Sequence, residues 1–409
     1  MKHVHTRTRR AGAAPTVVAA LAAALTWAAL LTGCTAPAPS DDKPGARPAP
    51  GDVIRVFPDD GSTGVFAKRR LRVLVPTGRL ESVTVVRSQD GQDWAVPGRL
   101  SPNGKVWQAY GRRLALGAKY TVDAVARDGE GRRTARHATF TTFVPAERFI
   151  GYLTPESNTT VGTGMIVSLQ FNRGIEDRSA VERAIRVTSV PPVDIRPHWF
   201  GRDRLDFRPE HYWKPGTRVT VALRLRDVEG APGVYGLQYK DMSFTVGRSQ
   251  VSLVDAAAHM MRVRRDGRLI ATVPITAGGP RTTTYNGKMV VMERLAVTRM
   301  DSHTVGFGGE YDIADVPHAM RLTDSGTFVH GNYWAPYAPG HINVSHGCVG
   351  LRDVKGGDSR TPAGWFYDRS LVGDVVEVVH SQDKEVAPDN GLGGWNMDWG
   401  AWTAGSAVR

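Results

Sequence analysis

The sequence predicts a mainly β protein, and three observations carry that reading. Short runs alternate polar and apolar residues with the period of half-buried strands, Gly/Pro turns separate them, and one such unit occurs twice. The stretch Leu116–Gly131 (LGAKYTVDAVARDGEG) aligns with Pro215–Gly230 (PGTRVTVALRLRDVEG) at an offset of 99 residues. Gly117/Gly216, Thr121/Thr220, Val122/Val221, Arg127/Arg226, Asp128/Asp227 and Glu130/Glu229 coincide. A further strand-like run follows each copy, at Ala138–Val144 and Met242–Val246. A period near 100 residues suits two β-sandwiches of immunoglobulin-like size, over 51–148 and 149–249. Neither contains cysteine, so packing alone holds them, and no catalytic constellation falls between 51 and 248. They read as spacers. Helical signals are few; Ser179-Ala-Val-Glu182 resembles a capping box.

From Gln250 the β character persists into a third domain over 250–380. Met261–Val263, Asp266-Gly267 and Leu269–Val273 read as a hairpin with an Asp-Gly turn. Met289–Met292, Thr327–Val329 and Asp374–Val379 read as further buried strands. A short subdomain, 381–409, closes the chain. There Trp395, Trp399 and Trp402 have the spacing of one helical face, but Gly391, Gly393, Gly394 and Gly400 argue against an isolated helix. Packing of the indoles against the preceding domains is the expected role; a carbohydrate platform is the alternative.

Composition excludes several classes. With 41% apolar and 22% charged residues, the 409-residue chain is neither disordered nor a polytopic membrane protein. Net charge is +12, of which Lys2, Arg7, Arg9 and Arg10 supply four at the extreme N-terminus, leaving +8 for the remainder. Residues 1–33 read as an export signal: a basic start, an apolar run from Val17 to Leu31, then Leu31-Thr32-Gly33-Cys34. That tetrapeptide resembles a bacterial lipobox, in which the sulfur of Cys34 would carry the lipid; a transmembrane anchor is the alternative. Residues 34–50, with five prolines, read as an extended tether. The expectation is an exported protein, lipid-anchored on the outer face of the membrane and facing the wall. Dispersed basic residues and the absence of a nucleic-acid motif argue against nucleic acid as a partner and favour anionic wall polymers.

Cysteine occurs only at 34 and 348, which rules out a disulfide framework. Cys348 lies in Val344-Ser-His-Gly-Cys-Val-Gly-Leu-Arg352, and His330 ends the apolar run Phe328-Val329. A thiol is a useful nucleophile only as thiolate, and an adjacent imidazole can take its proton. His330 and His346 are the candidates. In a strand, His346 and Cys348 would point to the same side, and the backbone N–H groups of Gly347 and Cys348 would face a developing oxyanion. A buried structural cysteine and a zinc site built from His330, His346 and Cys348 are the competing readings; the second lacks a fourth ligand. No cofactor is expected. Trp334 reads equally as core or as a substrate wall, and His303, His318 and His341 as surface or packing residues.

His330, fourteen intervening residues and Ser345-His346-Gly347-Cys348 resemble the signature of the L,D-transpeptidases, whose catalytic fold is called YkuD-type. Met300-Asp301-Ser302, Tyr311-Asp312, Ser325–His330 and Trp334 extend the likeness to actinobacterial members, which also carry a lipobox, two immunoglobulin-like domains and a C-terminal tail. The resemblance implies Cys348 as nucleophile, His330 as general base, the Gly331 carbonyl as the group orienting the imidazole, and His346 in support. It places Tyr311, Ser325, Gly326 and Ser345 near the donor peptide, and Met300 and Trp334 on the pocket wall. The implied reaction attacks the third residue of a peptidoglycan tetrapeptide, expels D-alanine and passes the acyl group to an amine on another stem, giving a 3→3 cross-link. Carbapenems acylate the same cysteine in many such proteins. An L,D-carboxypeptidase using water, and a non-catalytic wall-binding protein, are the alternatives. One departure stands out: many members have Asn two residues after the cysteine, where this chain has Gly350.

Overall fold

The computed structural model describes residues 53–111, 113–305 and 308–408. The signal segment, Cys34 and the 34–50 tether lie outside the described residues. The first β unit is a pair of four-stranded sheets, and the second is such a pair with an additional three-stranded sheet. In the first, Arg79–Gln89 and Arg133–Thr141 flank Lys119–Arg127, the first copy of the repeat, in antiparallel register. Its Tyr120, Val122, Ala124 and Ala126 point inward and are buried, and the intervening residues are not. Period-2 alternation thus fixes which face meets the other sheet. Arg218–Arg224, the second copy, occupies the same central place between Ile185–Val190 and Tyr239–Val246.

The repeated Asp has two different uses. Asp128 closes its own turn, accepting from the N–H groups of Glu130 and Arg132. Asp227 instead accepts from the Leu116 N–H at 3.1 Å and from Arg148 at 2.9 Å, joining the second unit to the first. The short helix starts two residues earlier than the Ser179 capping box implies. It spans Arg178–Arg183 and is capped by Asp177, whose carboxylate accepts from the Ala180 N–H. Glu182 is therefore released from capping. It is buried and accepts from the Trp199 indole and the Ala407 N–H.

The third unit is built on a nine-stranded sheet. Its strands are β1 (Gln250–Asp255), β2 (Met260–Arg265), β3 (Arg268–Thr276), β4 (Gly287–Val290), β5 (Glu293–Asp301), β6 (Asp312–Arg321), β7 (Phe328–Asn332), β8 (Val349–Arg352) and β9 (Val375–Val379). Their order across the sheet is β4-β9-β1-β2-β3-β8-β7-β6-β5. The β2–β3 turn has positive φ at both Asp266 (50°) and Gly267 (81°), the type I′ geometry that an Asp-Gly pair favours. Two pairings are parallel, β1 with β9 and β7 with β8. All five residues of β7 are buried, as a strand covered on both faces requires.

The C-terminal segment does not form one helix. It makes a 3-10 turn at Gly393–Asn396 and a short helix at Trp399–Ala404, started by Asp398, whose side chain accepts from Ala401. Trp395 and Trp402 enter the core of the second sandwich, alongside Leu392 from the tail and Val290 from β4. Both indoles donate to backbone carbonyls, Trp395 to Gly164 at 2.6 Å and Trp402 to Arg196 at 2.9 Å. Arg208, only 2% exposed, lies 4.8, 5.3 and 4.4 Å from the rings of Trp395, Trp399 and Trp402. Burial lowers its pKa to about 10. Ring faces and the carbonyls of Pro209, Glu210 and Met397 take the place of an acidic partner. Trp402 is fully buried, so Trp402→Ala should lower unfolding free energy by about 3–5 kcal/mol, measured by denaturant titration.

Candidate active site

The parallel register of β7 and β8 places the two key side chains. Val329 pairs with Val349 and His330 with Gly350, so His330 and Cys348 lie diagonally across the pair on one face. Both line a single cavity of about 410 Å³, together with Met300, Tyr311, Trp334, Ser345 and His346. Seven of the side chains singled out in the sequence thus converge. Thr276, Ile313, Asn332, Ala335, Tyr337 and Val344 complete the lining. They come from β3, β6, the end of β7 and the β7–β8 connection, and carry no reactive group that would have marked them in the sequence.

His330 is 4% exposed and stacks on Trp334, centroids 5.4 Å apart and planes at 15°. Its Nδ1 is 3.0 Å from the Gly331 carbonyl oxygen. A carbonyl only accepts, so Nδ1 carries the proton and Nε2 presents a lone pair. Burial pushes the imidazole pKa below its ordinary value, with the Gly331 carbonyl opposing. Cys348 is 7% exposed, packed on Ala319 and Phe328, and its Sγ–H points to the Gly326 carbonyl at 3.6 Å. Burial pushes the thiol up to about 11, against a Phe328 N–H directed at the sulfur. The resting pair is therefore a neutral thiol and a neutral imidazole. Tyr311 is pushed up to about 12 by burial and by the proximity of Cys348.

The Ser-His-Gly-Cys segment differs from the expected strand. It is a turn leading into β8, with φ of +107° at Gly347, a backbone value that an L side chain resists. Ser345 closes the turn: its Oγ donates to the Cys348 carbonyl at 2.6 Å and accepts from the Gly347 N–H at 3.2 Å. In the resting site the Gly347 amide is directed to Ser345 Oγ within the turn. His346 is held from outside, its Nε2 3.0 Å from Glu310 and its ring 4.8 Å from that of Tyr311. Nothing in the sequence alone singled out Glu310.

Ser325 and Gly326 lie on the loop before β7, and only the Gly326 carbonyl reaches the thiol. Ser325 is turned to the tail. Its N–H donates to Asn390 Oδ1 at 3.0 Å, and its Oγ accepts from Asn390 Nδ2 at 2.8 Å. Gly350 has a steric reason. A Cβ there would come within 2.9 Å of Thr276 Cγ2 and 3.3 Å of Asn332 Cβ. The neighbouring strand thus fills that space with an asparagine of its own, whose amide exchanges two hydrogen bonds with Ala335 and fixes the turn bearing Trp334. His318, expected at the surface or in packing, is mostly buried and bonded to Asp353 at 2.7 Å.

A neutral resting pair has a measurable signature. Alkylation of Cys348 by iodoacetamide should accelerate as pH rises toward about 11, with no plateau near neutrality. A thiolate–imidazolium pair would instead react at a constant rate through neutral pH and slow only in acid.

Comparison with known proteins agrees with this geometry. Residues 249–378 match the model of the L,D-transpeptidase catalytic domain, and residues 62–229 that of a bacterial Ig domain. L,D-transpeptidase 2 of Mycobacterium tuberculosis is 36% identical over 351 residues, 85% of this chain and 83% of that protein. L,D-transpeptidase 5 of the same species is 28% identical over 369 residues, 88% of this chain and 78% of that one. With more than four-fifths of both chains aligned to the first of these, and the catalytic-domain model matched over the nine-stranded sheet, this chain belongs to the L,D-transpeptidase family.

Proposed function

We propose that this peptidoglycan cross-linking enzyme forms 3→3 links through a thioester on Cys348. The observation that carries the reading is the placement of Cys348 and His330 on one face of a parallel strand pair, in one cavity, with the histidine tautomer set by Gly331. His330 Nε2 takes the Sγ proton as sulfur attacks the carbonyl of the third stem residue. The peptide C–N bond breaks, and D-alanine leaves with the proton that His330 returns. Amine attack on the thioester then forms the cross-link and restores the thiol. Because both groups rest neutral, charge develops only as the substrate reacts, and the backbone amides of Gly347 and Cys348 meet the developing oxyanion in this proposal. Met300, Tyr311 and Trp334 give the donor peptide an aromatic and thioether wall.

The same proposal places the protein outside the cell, lipid-anchored through Cys34, with stem peptides as substrates and anionic wall polymers as partners of its positive charge. Incubation with a disaccharide-tetrapeptide should yield a 3→3 dimer by mass spectrometry. Cys348→Ala should abolish it, and His330→Gln should slow it by roughly 10²–10⁴-fold. Tripeptide as the sole product would make the enzyme a carboxypeptidase, and no product from folded protein would remove both readings. Cys34→Ala should move the expressed protein from the membrane fraction to the soluble exported fraction; unchanged membrane retention would refute lipid anchoring at that sulfur.

A further inference from the structure

The two half-reactions make different demands on protons. Acylation moves one, from Cys348 through His330 to the departing amine. The acceptor, a lysine-like alkylamine, arrives as an ammonium ion, since such amines have pKa values near ~10. To become an amide nitrogen it must lose two protons. The thiolate released from the thioester takes one by way of His330, and the pair is then back in its neutral resting state. It has no place for the second.

Another imidazole lines the same cavity. His346 stands two residues before Cys348, and its Nε2 lies 3.0 Å from the Glu310 carboxylate. Glu310 directly precedes Tyr311, whose ring packs on the imidazole. The ring is therefore held by two consecutive residues. The side chains of His346 and Glu310 are 34% and 56% exposed, so the pair links the cavity that His346 lines to solvent. With Nε2–H donated to the carboxylate, the lone pair of a neutral ring is on Nδ1. A carboxylate at this distance offsets the charge that a captured proton brings.

We propose that His346 is the acceptor-side base, with Glu310 as its positioning residue, and that the two discharge the first ammonium proton to water. The inference rests on the thioester reading of Cys348. His346 takes one proton from R–NH3⁺, giving R–NH2 and an imidazolium. The amine nitrogen attacks the thioester carbonyl, and the C–N bond forms as the C–S bond breaks. The second proton passes to His330 and then to Sγ, and the imidazolium returns its proton to solvent. Water arrives neutral and delivers a single proton to the Cys348–His330 pair. The relay therefore favours an ammonium-bearing acceptor over hydrolysis.

The test is the partition of the acyl-enzyme, read as the ratio of cross-linked dimer to hydrolysed tripeptide, which cancels the rate of acylation. In the full chain at pH 7, Glu310→Gln should lower that ratio by about tenfold or more for a stem-peptide amine. With methoxyamine, already unprotonated at this pH, the ratio of captured to hydrolysed product should stay within about twofold of wild type. An unchanged ratio for the stem amine overturns the proposal. So does an equal fall for both nucleophiles, which would mean a displaced loop rather than a lost relay. Intact mass measured before acceptor is added separates the two layers: a wild-type chain that accumulates no acyl adduct overturns the thioester reading and this inference with it.

Discussion

The parallel pairing of β7 with β8 is the constraint on which the site depends. A parallel pair needs a crossover, and the connection from Tyr333 to Cys348 supplies the Trp334 wall and the Ser-His-Gly-Cys turn on its way round. A one-residue slip would turn His330 to the opposite face and break the alignment with Cys348. The register is held by burial of all of β7, by the antiparallel contact of β6 with its first residues, and by the close approach that Gly350 allows between the strands.

That sheet is joined to its neighbours by shared core and shared backbone bonds. The Gly162 and Gly164 N–H groups donate to the carbonyls of Val372 and Gly373, at the entrance to β9. Arg248 forms a two-point ion pair with buried Asp374 across the same joint. The tail completes the connection. Its tryptophans enclose Arg208 of the second sandwich, and its Asn390 holds the loop whose Gly326 carbonyl meets the thiol. The second sandwich, the tail and the thiol pocket thus form one mechanically continuous path through packed side chains.

Much of this was legible in the sequence because the signals were local. Alternation located Lys119–Arg127 and Arg218–Arg224, Asp-Gly located the hairpin, and the cysteine and histidine spacing picked out two residues that share one cavity. Signals from partners far along the chain were not legible. Ser325 is an example: only the fold brings Asn390, 65 residues further on, to its side. Asp177 captured the helix start because its carboxylate bonds the Ala180 amide, leaving Glu182 for a partner more than 220 residues away. Glu310 carries no motif at all; only the fold of its loop brings it to His346.

The neutral resting state of Cys348 also bears on durability. Peroxides and small electrophiles react with thiolates, and their selectivity follows thiolate character and exposure. A cysteine kept protonated and 7% exposed offers such reagents little of either. In the proposed reaction, substrate that fills the cavity brings a carbonyl to the sulfur while His330 removes the proton, so nucleophilicity develops only when there is something to acylate. The burial that raises the thiol pKa would therefore also shield the proposed nucleophile from oxidation between turnovers.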